Sequence, residues 1–101
     1  MKTVKNGMPP VHPGEVLRED FLIPLDMSAS ALARELHVPV PRINDIVRER
    51  RAVTADTALR LARYFGGTAQ FWLNLQAAFE LRNAELIALK QIESEVRPRA
   101  A

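Results

Sequence analysis

The stretch VPVPRINDIVRERR, residues 38–51, sets Arg42, Arg48, Arg50 and Arg51 around Asn44, Asp45 and Glu49. These side chains hydrogen-bond; none is a ready nucleophile. A guanidinium can grip guanine O6 and N7 in bidentate fashion, and an asparagine amide can do the same to adenine N6 and N7. Asp45 lies three residues from both Arg42 and Arg48, so it can hold one arginine in place or accept from cytosine N4. Arg50 and Arg51 suit phosphates, where charge gives affinity without sequence choice. Ser28 and Ser30, further upstream, can also reach a phosphate, although Ser28 serves equally as a helix N-cap. The bland alternative is a solvated arginine surface worth little energy.

Other chemistries lack their residues. The only histidines, His12 and His37, form no H-E-x-x-H pair, and cysteine is absent, so no metal site is expected. No glycine-rich phosphate loop or nucleophile elbow occurs. Glu15, Glu19 and Asp20 imitate a carboxylate site but fall mainly on a solvent face. No catalytic residue and no cofactor are therefore expected.

At 101 residues, 48 % hydrophobic and 26 % charged, the chain suits one soluble domain. Its net charge of +2 is too small to argue nucleic acid, so the local arginine cluster carries that argument. No apolar run has signal-peptide or membrane-span character. A cytoplasmic protein without a membrane partner is expected.

The arginines need elements to hold them. Residues 1–12 read as a flexible arm, 13–92 as the domain and 93–101 as a frayed tail. The first helix opens at HPGE, with Pro13 at a first helical position and Val16, Leu17, Phe21 and Leu22 inward; Pro24 breaks it. Ser28 caps a second helix that buries Leu32, Ala33 and Leu36. A third runs from Pro39 or Val40 to Arg48, with Ile43, Ile46 and Val47 inward. Thr54 caps a fourth, carrying Ala58, Leu61, Ala62 and Phe65 inward and ending at Gly66 and Gly67. Thr68 caps a fifth of roughly 22 residues. No strand pattern competes.

Helices two and three, joined by a very short turn, form a helix-turn-helix. Ala33 is small enough for a close crossing, Val38 plugs the turn, and His37 stands where a left-handed backbone is usual. Pro39 and Pro41 fall where N–H groups have no intrahelical partner, so they fix the start of the third helix without breaking it. With Ile43 and Ile46 inward, Pro41, Asp45 and Arg48 point outward and Arg42 and Asn44 flank them. Such a unit lays this face in the DNA major groove. A competing reading has the arginines bind an acidic protein, with the helix-turn-helix as scaffold.

The segments HPGEVLREDFL, LARELHVPVPRINDIVRERRAVTADTALRLARYFGG and FWLNLQAAFEL resemble the HigA family of antitoxins, also called VapI-like, within the XRE helix-turn-helix group. The likeness spans roughly residues 9 to 84. It implies an all-α, five-helix, lambda-repressor-like domain with a long C-terminal helix. It also implies a homodimer that represses its own operon at double-stranded operator DNA. The implied partner is a HigB-like toxin, a RelE-like ribonuclease that the antitoxin binds and neutralises; some members instead act as solitary regulators. The resemblance puts base reading on Val40, Arg42, Asn44, Asp45 and Arg48, and phosphate contacts on Arg50 and Arg51. Two positions depart from the family pattern: Glu49 stands where glycine is common, and Asp45 where glutamate is common.

A two-fold operator needs a two-fold protein. On the fifth helix Trp72, Leu75, Phe79, Leu86 and Leu89 fit a coarse heptad seam interrupted by Arg82, and Leu81, Ala84 and Ala88 form a second stripe. This seam is the expected dimer interface. The alternative is that both stripes are covered within the monomer, Trp72 above all.

Overall fold

The computed structural model describes residues 9–100. Their elements are α1 (Pro13–Val16), continued by a π-helical segment (Leu17–Leu22), then α2 (Ala29–Leu36), α3 (Val40–Val47), α4 (Ala55–Phe65) and α5 (Ala69–Glu95). The fold is all-α, and no strand occurs among the described residues. Most of the expected arm, residues 1–8, lies outside the described residues. Its last members belong to the domain: Val11 packs against the core and His12 is only 3 % exposed.

His12 caps α1. Its Nδ1 accepts from the Gly14 N–H at 2.8 Å, and its ring meets Phe79 edge-on at 4.8 Å. The cap requires an unprotonated Nδ1. Burial lowers the His12 pKa, Glu49 opposing and nearby Arg18 adding to the effect. The unfolded chain therefore takes up this proton first as pH falls. The cap's contribution is complete above the ordinary imidazole value and is lost as pH drops through the lower folded one. The thermal midpoint is expected to fall between about pH 7 and pH 5, and His12→Asn, a non-titrating cap, to flatten that slope. An unchanged slope in the variant would exclude His12 as its source.

In the π segment the Ile23 N–H reaches back to the Arg18 carbonyl at 3.0 Å. This winding puts residues five apart on one face; Leu17 and Leu22 are 0 % and 4 % exposed. Phe21 meets Phe65 and Trp72 at ring separations of 4.8 and 5.2 Å. Pro24 lies in the turn that follows.

The caps follow local chemistry. Ser28 Oγ accepts from the Ala31 N–H at 3.0 Å, and Thr68 Oγ1 from the Phe71 N–H at 3.2 Å. Thr54 stands at the N-cap of α4 but makes no capping bond; its hydroxyl lies 3.4 Å from that of Thr57. Gly66, at φ 89°, closes α4.

The core gathers Leu32, Ala33, Ile43, Ile46, Ala58, Leu61 and Trp72, all at 0–1 % exposure. Trp72 corrects the expected seam. It is 1 % exposed in the monomer, its ring tilted against Phe21 and edge-on to Phe71, and has no surface to offer a second chain. Leu75 and Phe79 are half-buried for the same reason: the N-terminal segment lies over them, His12 against Phe79, beside a small groove bordered by Pro10, Val11, Ala78 and Arg82.

Beyond Glu80, α5 projects from the domain. It runs 27 residues, longer than expected, because nothing in the sequence breaks it before Pro98. Its last turn carries Gln91–Glu95 and Ser94–Gln91 hydrogen bonds, so the chain leaves helix only after Glu95. Leu81, Leu86, Ile87, Leu89 and Ile92 are 41–78 % exposed on this arm. No helix among the described residues is long and apolar enough to cross a membrane.

Candidate nucleic-acid interface

Helices α2 and α3 form the expected unit. His37 closes α2 at φ 58°, ψ 46°, a left-handed residue that aims the Val38 N–H at the Ala33 carbonyl at 3.1 Å. Pro39 is the N-cap of α3 and Pro41 lies in its first turn. Ile43 and Ile46 are both 0 % exposed, which turns the opposite side of α3 to solvent. Val40, Pro41 and Arg48 are exposed there; Arg42, Asn44 and Asp45 are half-buried along the flanks.

The arginines separate into held and free. Arg42 Nη1 donates to Asp56 Oδ2 at 2.7 Å, and Arg60 Nε donates to the same oxygen at 2.9 Å. Hydrogen bonds from Arg60 and then Arg42 lower the Asp56 pKa, keeping this exposed carboxylate ionised. Asp45 pairs with Arg51 at 3.3 Å, not with Arg42 or Arg48, because the chain after α3 folds back toward it. Arg48, the C-cap of α3, and Arg50 are exposed and have no side-chain partner among the described residues. Ser28 acts as the α2 cap and keeps its O–H to donate; Ser30, the second residue of α2, is half-buried.

Two arginines outside the cluster brace the unit, and composition gave no sign of them. Arg18, from the π segment, donates through Nη1 to the Val47 carbonyl at 2.6 Å and through Nη2 to Glu49 at 3.3 Å. It satisfies a carbonyl at the open end of α3. Glu49 takes φ 64°, the left-handed position that glycine fills more easily. The Arg50 N–H bonds the Asp45 carbonyl across it at 2.8 Å, a Schellman closure. Arg18 thus holds the carboxylate that stands at this left-handed position. Arg60 plays the same part for α2, donating to the Leu36 carbonyl at 2.8 Å. Buried Gln76 anchors the segment after α3: its Oε1 accepts from the Val53 N–H at 2.9 Å and its Nε2 donates to Glu80 at 2.9 Å. The only signal for these contacts was indirect, a polar residue on an otherwise buried helical face at position 76.

Glu19 and Asp20 lie on the solvent face and Glu15 is half-buried. No group of three or more His, Asp or Glu side chains among the described residues is placed to hold a metal ion. What the site offers is hydrogen-bond donors and positive charge on the solvent side of α3 and the segment after it.

The helix-turn-helix family model matches residues 17–72. Virulence-associated protein I of Dichelobacter nodosus is 64 % identical over 81 residues, 80 % of this chain and 75 % of that protein. Antitoxin HigA of Pseudomonas aeruginosa, solved with the higBA promoter, is 53 % identical at a TM-score of 0.87, covering 90 % of this chain and 99 % of that one. The chain belongs to the HigA family of helix-turn-helix antitoxins. Another solved relative, antitoxin GraA in complex with its operator, is 50 % identical at a TM-score of 0.88 and covers 98 % of this HigA-family chain and all of its own length. The family likeness therefore includes α5, which lies almost wholly beyond the matched helix-turn-helix segment.

Proposed function

We propose that this chain is a homodimeric operator-binding repressor that lays α3 in the major groove, and an antitoxin that neutralises a HigB-like ribonuclease toxin. The observation that carries the DNA reading is the state of α3 and its C-terminal end: its aliphatic side is sealed in the core, while Arg48 at its C-cap and Arg50 just beyond stand exposed with no side-chain partner among the described residues. Val40, Arg42, Asn44, Asp45 and Arg48 face the bases. Arg50, Arg51, Ser28 and Ser30 reach flanking phosphates, with Arg51 exchanging Asp45 for a phosphate oxygen. Relatives of this fold solved with promoter or operator DNA support the assignment.

Dimerisation falls on the projecting half of α5. Leu86 and Leu89 of the expected seam remain, 54 % and 41 % exposed, and Ile92 and Val96 extend it at 49 % and 62 %. Spacings of three residues from Leu86 to Leu89 to Ile92 make a continuous stripe along the helix, with Val96 following at its C-cap. A second copy is the natural cover, because a two-fold pair sets two recognition helices about 34 Å apart, one turn of DNA.

The test is binding to duplex from the protein's own promoter against random duplex of equal length. The wild type is expected to bind as two chains and to prefer the promoter. Arg48→Ala should remove at least about 10-fold of that preference, the worth of one bidentate base contact. Arg51→Ala should weaken both duplexes alike and reduce the salt slope by about 1. Equal losses on both duplexes for Arg48→Ala would exclude base reading there. Co-purification with the product of an adjacent small basic reading frame tests the toxin partner; if none co-purifies, a solitary regulator is left.

A further inference from the structure

We infer that Asp56 of α4 is a positioning and specificity-determining residue that presents Arg42 of α3 to a base and curbs its attraction to phosphate. The inference rests on the DNA-reading function proposed above and deepens it.

A continuous chain of hydrogen bonds links the three helices of the reading head. The Leu36 carbonyl, at the end of α2, accepts from Arg60 Nη1 at 2.8 Å. Arg60 Nε donates to Asp56 Oδ2 at 2.9 Å, and Arg42 Nη1 donates to that same oxygen at 2.7 Å. The carboxylate is therefore fixed by an arginine that is itself fixed to backbone, and its remaining capacity orients Arg42. Only one Arg42 nitrogen is committed. The Nε–H and Nη2 donors have no protein acceptor among the described residues, which leaves a two-pronged donor edge for guanine O6 and N7.

Two physical effects follow. A long side chain held in one rotamer loses less freedom on binding, so its base contact is made at lower cost. An arginine already paired with a carboxylate also has less net pull on phosphate, which is the sequence-independent part of affinity. Asp56 thus weakens the wrong complexes while helping the right one. The neighbouring pair Asp45–Arg51 lacks this design: it is longer, at 3.3 Å, and no third side chain among the described residues holds Asp45.

The experiment is a double-mutant cycle with Asp56→Asn and Arg42→Ala, scored on the promoter duplex, on random duplex and on promoter duplexes changed one base pair at a time. The pair read by Arg42 is the one whose change ceases to matter in Arg42→Ala. Asp56→Asn is expected to lower discrimination at that pair about 5- to 10-fold and to tighten random duplex about 2- to 5-fold, the gain expected from removing one carboxylate near the phosphates. In the Arg42→Ala background it should change discrimination no further. A merely structural carboxylate would weaken both duplexes together, and a carboxylate that sequesters Arg42 would, on removal, sharpen promoter preference. Either result overturns the inference. A wild type without promoter preference would overturn the DNA-reading function, and this inference with it. A wild type that discriminates normally beside an Asp56→Asn that does the same sinks the inference alone.

Discussion

Trp72→Ala is expected to remove a large share of the protein's stability, not to split a dimer. The indole is 1 % exposed within a single chain, and its ring sits 5.2 Å from Phe21 and 5.1 Å from Phe71. Truncating a buried tryptophan costs about 3–5 kcal/mol, from a total stability of about 5–15 kcal/mol for a domain of this kind. Denaturant unfolding should show a much lower midpoint at every protein concentration. Leu89→Ala is the contrast, because Leu89 is 41 % exposed on the projecting arm. Its effect should grow as the protein is diluted, since it acts through association. If Trp72→Ala instead kept its midpoint and only changed the sedimenting mass, the core assignment would be wrong.

The second large effect is expected at Gly14. It lies where α1 crosses α3, and a Cβ there would run into the Ile46 carbonyl oxygen and approach its carbon at 2.8 Å. The obstacle is backbone, and it cannot swing aside: the Ile46 carbonyl accepts the Glu49 N–H at 2.9 Å in the turn that closes α3. The His12 cap closes the other side, its Nδ1 at 3.0 Å from the same Cβ. Gly14→Ala must therefore displace α1 from α3, at about 3 kcal/mol, the upper end of ordinary overpacking. Because α3 is the proposed reading helix, promoter affinity should fall in the variant even under conditions where it stays folded. Thermal unfolding and promoter binding measured together check this. An alanine variant with wild-type midpoint and affinity would show that the crossing relaxes freely.

Both sites show how far the chain could be read before its structure. The glycine of HPGE is visible as part of a family motif, yet what it avoids is a carbonyl 32 positions away in the sequence. Trp72 fits a heptad seam on α5 and fits the core equally well, and periodicity cannot choose between two apolar stripes on one long helix. Phe21, whose ring lies against it, comes from another helix, and so does Phe65 behind Phe21.

Local chemistry sufficed for the helices themselves. The three-and-four spacing of Ile43, Ile46 and Val47, the Ser28 and Thr68 caps, the left-handed turn at His37 and the break at Gly66 are decided within a few residues of sequence, and the structure keeps each one. The same locality exposes one side of α3 as soon as the other is buried. Which arginines are free was not local. Arg42 is claimed by Asp56, fourteen positions on, and Arg51 by Asp45. Arg18 and Arg60 act as caps for helices to which they do not belong. An ion pair across helices depends on where three elements come to rest, and charge in a sequence carries no direction until packing supplies one. Sequence alone thus determined that this protein has a polar, arginine-bearing helix standing on an aliphatic base. Tertiary structure alone decided which of those arginines are braced and which are at liberty, because only packed helices bring a carboxylate or a carbonyl within reach of a guanidinium.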